Sequence, residues 1–212
     1  DSDDETRSSQ PTHWGFWGTI IWGTTISVFF IVLQVITILL AGVSRNRHLS
    51  ESELRVLFGS VMKDGYLLSL ITFVTTVVGC ALVVGVVKLK KGSQLTEYLC
   101  IRPVALKILL KWIGVLIGFL VLDESISTFL GRPSVSPFMA AAYATTRPVW
   151  TIWVAMIIAA PLFEETFFRG FLLKGLESSF MRPAGAVLVT AGLWATLHVQ
   201  YDLYEIGTIF CL

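Results

Sequence analysis

Residues 18–43 read GTIIWGTTISVFFIVLQVITILLAGV, a run without one charged side chain. A helix rises about 1.5 Å per residue and needs about 20 mostly apolar residues to cross the roughly 30 Å hydrocarbon layer of a bilayer. The run therefore predicts a spanning helix. Trp14, Trp17 and Trp22 stand at its start, where amphipathic rings gather at the membrane interface, and with Phe16 they predict interfacial anchoring. The rest of the chain agrees with this opening. Its 212 residues are 54% hydrophobic and 15% charged, with a mean hydropathy of +0.73. A soluble domain carries about 45–50% apolar and about 25% charged residues, so a water-soluble fold is excluded. The net charge of +1 is spread over short loops between apolar runs and forms no basic patch. No nucleic-acid partner is expected, and the partner implied is the lipid bilayer.

Read along its length, the chain divides into three regions. Residues 1–13 are polar and predicted to be disordered, having too little apolar surface to offset the entropy of ordering. Residues 14–148 form a membrane region with three spans. The second runs over Gly65–Val87, where Thr72, Thr75, Thr76, Gly79 and Gly85 suit close helix packing. The third, over Ile108–Leu122, is short, and Lys111 can snorkel at its start. Between the first two, Arg45–Asp64 is charged and partly amphipathic, which predicts an interfacial helix. Asp123–Pro148 reads as a loop with a short helix near Phe138–Ala144. Residues 149–212 begin with one long helix to about Glu177. Another starts near Ala184 and carries His198, and Leu203 opens a further segment. The fold class expected is all-α, a polytopic integral membrane bundle of about five spanning helices. The acidic start lacks Met and the last residues stop inside an apolar run, so both ends read as cut. Cys80, Cys100 and Cys211 have no paired or zinc-like spacing and read as small apolar residues.

The distribution of Lys and Arg orients the bundle. The stretch after the second span holds Lys88, Lys90, Lys91, Arg102, Lys107 and Lys111, and the one after the third only Arg132 and Arg147. By the positive-inside rule the former is cytoplasmic. Arg45, Arg47, Arg55 and Lys63 in the first loop, against Arg7 in the tail, argue the opposite way. The larger contrast places Glu164, Glu165, Arg169 and Lys174 toward the cytoplasm.

Three ionisable residues within six positions of an apolar helix require a reason, because a charge at the bilayer centre costs about 2.5–3.5 kcal/mol on insertion scales. Glu165 and Arg169 are one helical turn apart and can pair, whereas Glu164 points about 100° away and is left out of that pair. A desolvated carboxylate of this kind suits a general base acting on water. His198, on the next helix with Trp194 one turn before it, could meet Glu164 across the helix pair. The plainer alternative is that Glu164, Glu165 and Arg169 mark the end of a span and that His198 is hydrogen-bonded within the bundle. A Glu/Glu/His metal site is a third reading, although HExxH is absent, as are GxSxG, Walker A and GxGxxG.

Ala160-Pro-Leu-Phe-Glu-Glu-Thr-Phe-Phe-Arg-Gly170 resembles the EExxxR motif of the CaaX protease and bacteriocin-processing membrane family, often labelled Abi, which includes the type II CaaX prenyl endopeptidases. Leu193-Trp-Ala-Thr-Leu-His198 resembles its second motif, FxxxH, with Trp194 in the usual Phe position. The resemblance covers about Val149–Leu212. It implies glutamate-dependent peptide hydrolysis in the membrane, with Glu164 and His198 activating water, Glu165 and Arg169 organising the site, and no cofactor required. The substrate implied is a membrane-associated peptide or protein, and the location a multi-pass bacterial cell membrane. The family's third motif, HxxxN or HxxxD, supplies oxyanion-stabilising groups and is expected beyond Leu212. Without it the chain is expected to be inactive, since losing one oxyanion donor costs about 100- to 1,000-fold. The competing functions are a non-catalytic role in bacteriocin immunity or as a scaffold, a metal-dependent hydrolase, and a transporter with a central carboxylate.

Several residues carry secondary expectations. Phe163, Phe167 and Phe168 suit core, lipid or substrate contacts equally. His13 and His48 read as solvated, Asp123 and Glu124 as a helix boundary, and Asp202 as a possible orienting partner of His198.

Overall fold

The computed structural model describes residues 13–45, 50–61 and 63–212; the tail at 1–12 and His48 lie outside these. Among the described residues the elements are all helical. They are α1 (Gly15–Arg45), α2 (Glu51–Val61), α3 (Gly65–Leu89), α4 (Leu95–Tyr98), α5 (Leu106–Phe129) and α6 (Pro137–Thr145). A long rod, α7 (Trp150–Glu177), follows, then α8 (Pro183–Thr196) and α9 (Leu203–Cys211). This is the expected all-α membrane bundle. Among the described residues three helices, against the about five expected, are long and apolar enough to cross a bilayer: Gly15–Ser44, Gly65–Leu89 and Trp150–Glu177. Helix α5, expected as a span, is not one of them and carries Lys107, Lys111, Asp123 and Glu124.

The bundle centres on α1, α3 and α7. One core cluster joins Ile26 of α1, Val83, Val86 and Val87 of α3, Tyr98 of α4, and Phe163, Phe167, Phe168, Phe171 and Leu172 of α7. Small residues bring the backbones close, as expected where lipid offers no hydrophobic drive between helices. A Cβ at Gly79 would sit 2.5 Å from the Phe163 ring, and one at Gly175 would overlap Thr19. A second cluster packs Leu57 of α2 against Ile38, Leu67 and Ile71.

Two regions differ from the expectation. Helix α5 continues through Asp123 and Glu124 to Phe129, because these carboxylates are satisfied where they stand. Tyr204 Oη and Thr208 Oγ1 of α9 donate to Asp123 Oδ1 at 2.8 and 3.0 Å, and Ser134 Oγ donates to Glu124 at 2.6 Å. The apolar length of α5 is exposed, as a helix surrounded by lipid tolerates. At the N-terminus, Trp14 and Trp22 pack on the core while Trp17 stays exposed. The Trp14 indole donates to the Val86 carbonyl at 3.1 Å, which draws it inward from the interface. His13 packs against Tyr98 with the rings tilted and 4.5 Å apart, and is not simply solvated.

The rod α7 is one continuous helix, as read, but not uniformly α. Residues Ala155–Ala159 and Glu165–Leu172 form π turns, closed by Ala160 N–H to Ala155 O and Leu173 N–H to Phe168 O. The first π turn ends just before Pro161, whose ring and missing N–H disrupt the α ladder at that point. Thr76 Oγ1 of α3 donates to the Ala159 carbonyl at the same joint, 2.9 Å away in a buried setting. Hydroxyls of neighbouring helices commonly satisfy a broken helix at membrane depth.

Candidate active site

The acidic motif lies well inside α7, fourteen residues from Trp150 and thirteen from Glu177. Glu164, Glu165 and Arg169 therefore do not mark the end of the helix. The π turn begins at Glu165 and contains Arg169. Such bulges recur at functional sites because they redirect side chains without ending the helix. Facing away from the carboxylates, Phe163, Phe167 and Phe171 stack at spacings of 5.4 and 6.3 Å. Phe30 of α1 continues the column at 4.4 Å. Phe163, Phe167 and Phe168 are buried, so of the roles open to them they take the core one. This packing fixes the rotation of α7 and turns Glu164 toward α8.

Arg169 Nη1 pairs with Glu165 Oε1 on the same helix, as the spacing requires. Glu164 is half-buried and interacts electrostatically with His198 and Arg169, while the Trp194 side chain presents its donor to it. The four residues singled out in the sequence thus converge, although His198 stands two residues past the end of α8 rather than on it. Its backbone N–H bonds Ala195 O at 3.1 Å, and its ring caps the helix, with Nδ1 2.8 Å from the Trp194 carbonyl. A carbonyl only accepts, so Nδ1 carries the hydrogen and Nε2 of the neutral ring keeps its lone pair. The imidazole is thereby set to accept a proton or polarise a water through Nε2. Trp194 also lies edge to face with His198 at 5.2 Å, and the Arg169 guanidinium sits 5.2 Å over its ring.

Three neighbours, Tyr201, Ser136 and Phe138, were not read from the sequence as site residues. Tyr201 stacks on His198 at 6.1 Å and is itself wedged against Phe138 of α6 at 5.7 Å. Burial first, then the Glu205 and Glu164 carboxylates, push its phenol above the ordinary range and keep it a donor, while Ser136 hydrogen-bonds it. An aromatic three residues after a candidate histidine was the available signal. The contribution of Ser136 and Phe138 had none, being remote in sequence. Asp202 does not orient His198. It caps α9, accepting from Tyr204 and Glu205 N–H at 2.9 and 3.1 Å in a capping box, and pairs with Arg132, whose guanidinium also covers the Tyr204 ring at 4.5 Å. Among the described residues, no three His, Cys, Asp or Glu side chains are grouped to hold a metal ion.

Compared with known families, residues 145–212 match the family described as type II CAAX prenyl endopeptidase, Rce1-like. No similar curated protein and no similar solved structure was found. The matched segment contains the Glu164, Arg169 and His198 positions whose convergence is described above. The similarity to the Rce1-like type II CAAX prenyl endopeptidases is confined to residues 145–212.

Proposed function

We propose that this chain is an intramembrane endopeptidase that hydrolyses a peptide bond in a membrane-associated protein or peptide, with Glu164 as general base. The observation that carries this reading is the placing of Glu164 in the interior of a spanning helix within electrostatic reach of His198, the imidazole held through Nδ1 and its Nε2 left available. Glu164 takes a proton from water as the water oxygen bonds to the scissile carbonyl carbon. The carbon–nitrogen bond then breaks, and the proton passes to the leaving amine. His198 Nε2 orients and polarises that water. Glu165 and Arg169, committed to each other, hold the wall of the site and offer the guanidinium to a substrate carboxylate or carbonyl. The family description points to substrates ending in a prenylated CaaX sequence, the positive-inside contrast supports a site toward the cytoplasm, and the resemblance alone suggests a bacterial cell membrane. The chemistry assigned to these residues needs no metal.

The test is cleavage of a quenched fluorescent prenylated peptide ending in CaaX by the full-length protein in proteoliposomes, the assay used for every variant below. Glu164→Gln abolishes turnover on this reading. Turnover equal to that of the unsubstituted chain would remove Glu164 from the chemistry. A substituted and an unsubstituted chain that are equally inactive but bind the peptide equally well would favour the non-catalytic alternative. Loss of turnover on chelation, restored by added metal, would favour the metal-dependent one.

A further inference from the structure

Trp194 contacts both His198 and Arg169 and presents its indole toward Glu164. Its carbonyl takes the His198 Nδ1 hydrogen at 2.8 Å, its ring edge meets the imidazole at 5.2 Å, and its face lies 5.2 Å under the Arg169 guanidinium. The indole N–H remains. Nε1 is buried and completes no hydrogen bond with the described residues, yet it is presented toward Glu164. A buried donor without a full bond is destabilising, and native proteins retain few of them without a reason. In the motif that this segment resembles, the position carries Phe, which has no such donor.

We propose that the Trp194 indole N–H is a positioning donor for the Glu164 carboxylate, closing on it when substrate and water occupy the site and holding the base on the His198 side. The inference rests on the endopeptidase reading and assigns Trp194 a part that a Phe could not play. Arg169, lying over the indole face, limits how far the ring can turn, so the N–H stays directed at Glu164 while the guanidinium remains paired with Glu165.

The test separates the N–H from the ring that bears it. Trp194→β-(3-benzothienyl)alanine keeps the shape and replaces N–H by sulfur, and Trp194→Phe removes donor and bulk together. In the proteoliposome assay with the prenylated CaaX peptide, kcat falls about ten- to a hundred-fold in the isostere while KM is unchanged, the loss expected for one bond to a charged acceptor. Full kcat in the isostere overturns the proposal. A second readout does not depend on turnover. The indole ¹⁵N–¹H resonance of Trp194, assigned by its absence in Trp194→Phe, shifts in Glu164→Gln, and an unmoved resonance also overturns the proposal. If Glu164→Gln cleaves as fast as the unsubstituted chain, the endopeptidase reading fails, and the resonance alone decides whether the Trp194–Glu164 contact stands.

Discussion

Glu164 and His198 lie within electrostatic reach of each other on separate segments, the first inside the α7 rod and the second just past the end of α8. The imidazole is fixed by a bond that uses Nδ1 alone, so its two nitrogens can be tested apart. His198→Asn places an amide N–H near the Nδ1 position and leaves nothing at Nε2. It should keep the helix cap and the thermal midpoint while lowering peptide hydrolysis by at least about 100-fold, the range of a lost general acid–base group. The measurement is turnover beside thermal unfolding in detergent. A drop in midpoint matching the loss of activity would reduce His198 to a structural cap.

The Glu165–Arg169 pair should show strong coupling. Both side chains are partly exposed, at 58% and 44%, and in water an exposed pair at this spacing would contribute only about 0.3–0.5 kcal/mol. At membrane depth, removing one partner strands the other charge, which insertion scales put at about 2.5–3.5 kcal/mol. Arg169→Met alone should therefore destabilise the chain more than Arg169→Met combined with Glu165→Gln. Additive effects in a double-mutant cycle read by unfolding would place the pair in water.

Close approach of α1 to the C-terminal end of α7 depends on Gly175. A methyl group there would overlap Thr19, which is itself fully buried and bonded to the Gly15 carbonyl at 2.6 Å. Gly175→Ala should cost about 1–3 kcal/mol, as overpacking does. Adding Thr19→Gly should recover part of that loss by returning the space. No rescue in thermal unfolding would show that the two helices do not meet at these residues.

Arg132 holds the Asp202 carboxyl below its ordinary value of 3.8, with the N–H groups of the α9 cap adding to the effect. A carboxylate depressed in the folded state contributes stability that is present above the unfolded pKa and is lost as pH falls through the folded one. Asp202→Asn should therefore lower the thermal midpoint by a constant amount from neutral pH down to about pH 5. The difference should shrink only below the ordinary carboxylate range. Asp202 is exposed and Arg132 partly so, and the effect is small at high salt. A midpoint difference that vanishes between pH 8 and 6 would assign the effect to another group.

Much of this molecule is legible from spacing alone. Residues 18–43 form a spanning helix whatever surrounds them, and Glu165 with Arg169 pair because both belong to one helix turn. Other features escape local reading. Asp123 and Glu124 looked like a helix end because charge usually stops a span, but Tyr204, Thr208 and Ser134 supply the hydrogen bonds that let α5 run on. Asp202 sits one turn beyond His198 in sequence and is nevertheless taken by the α9 cap and Arg132. The π turns in α7 follow from the joint at Pro161 and the packing of α3, α4 and α8 around the rod, none of which a helical wheel contains.

The sequence by itself determined that the chain belongs in a bilayer, that it is helical, and that Glu164, Glu165, Arg169 and His198 are the residues to watch. Desolvation makes apolar runs and isolated charges unambiguous at membrane depth, which is why these readings needed no partner. Only the tertiary structure decided where the charges lie along the rod, which way each one points, and that Trp194 binds them into one cluster. Those outcomes depend on the rotation of α7, set by the stack of Phe163, Phe167 and Phe171 against α1, α3 and α4. Contacts between distant segments have no local signature in the chain.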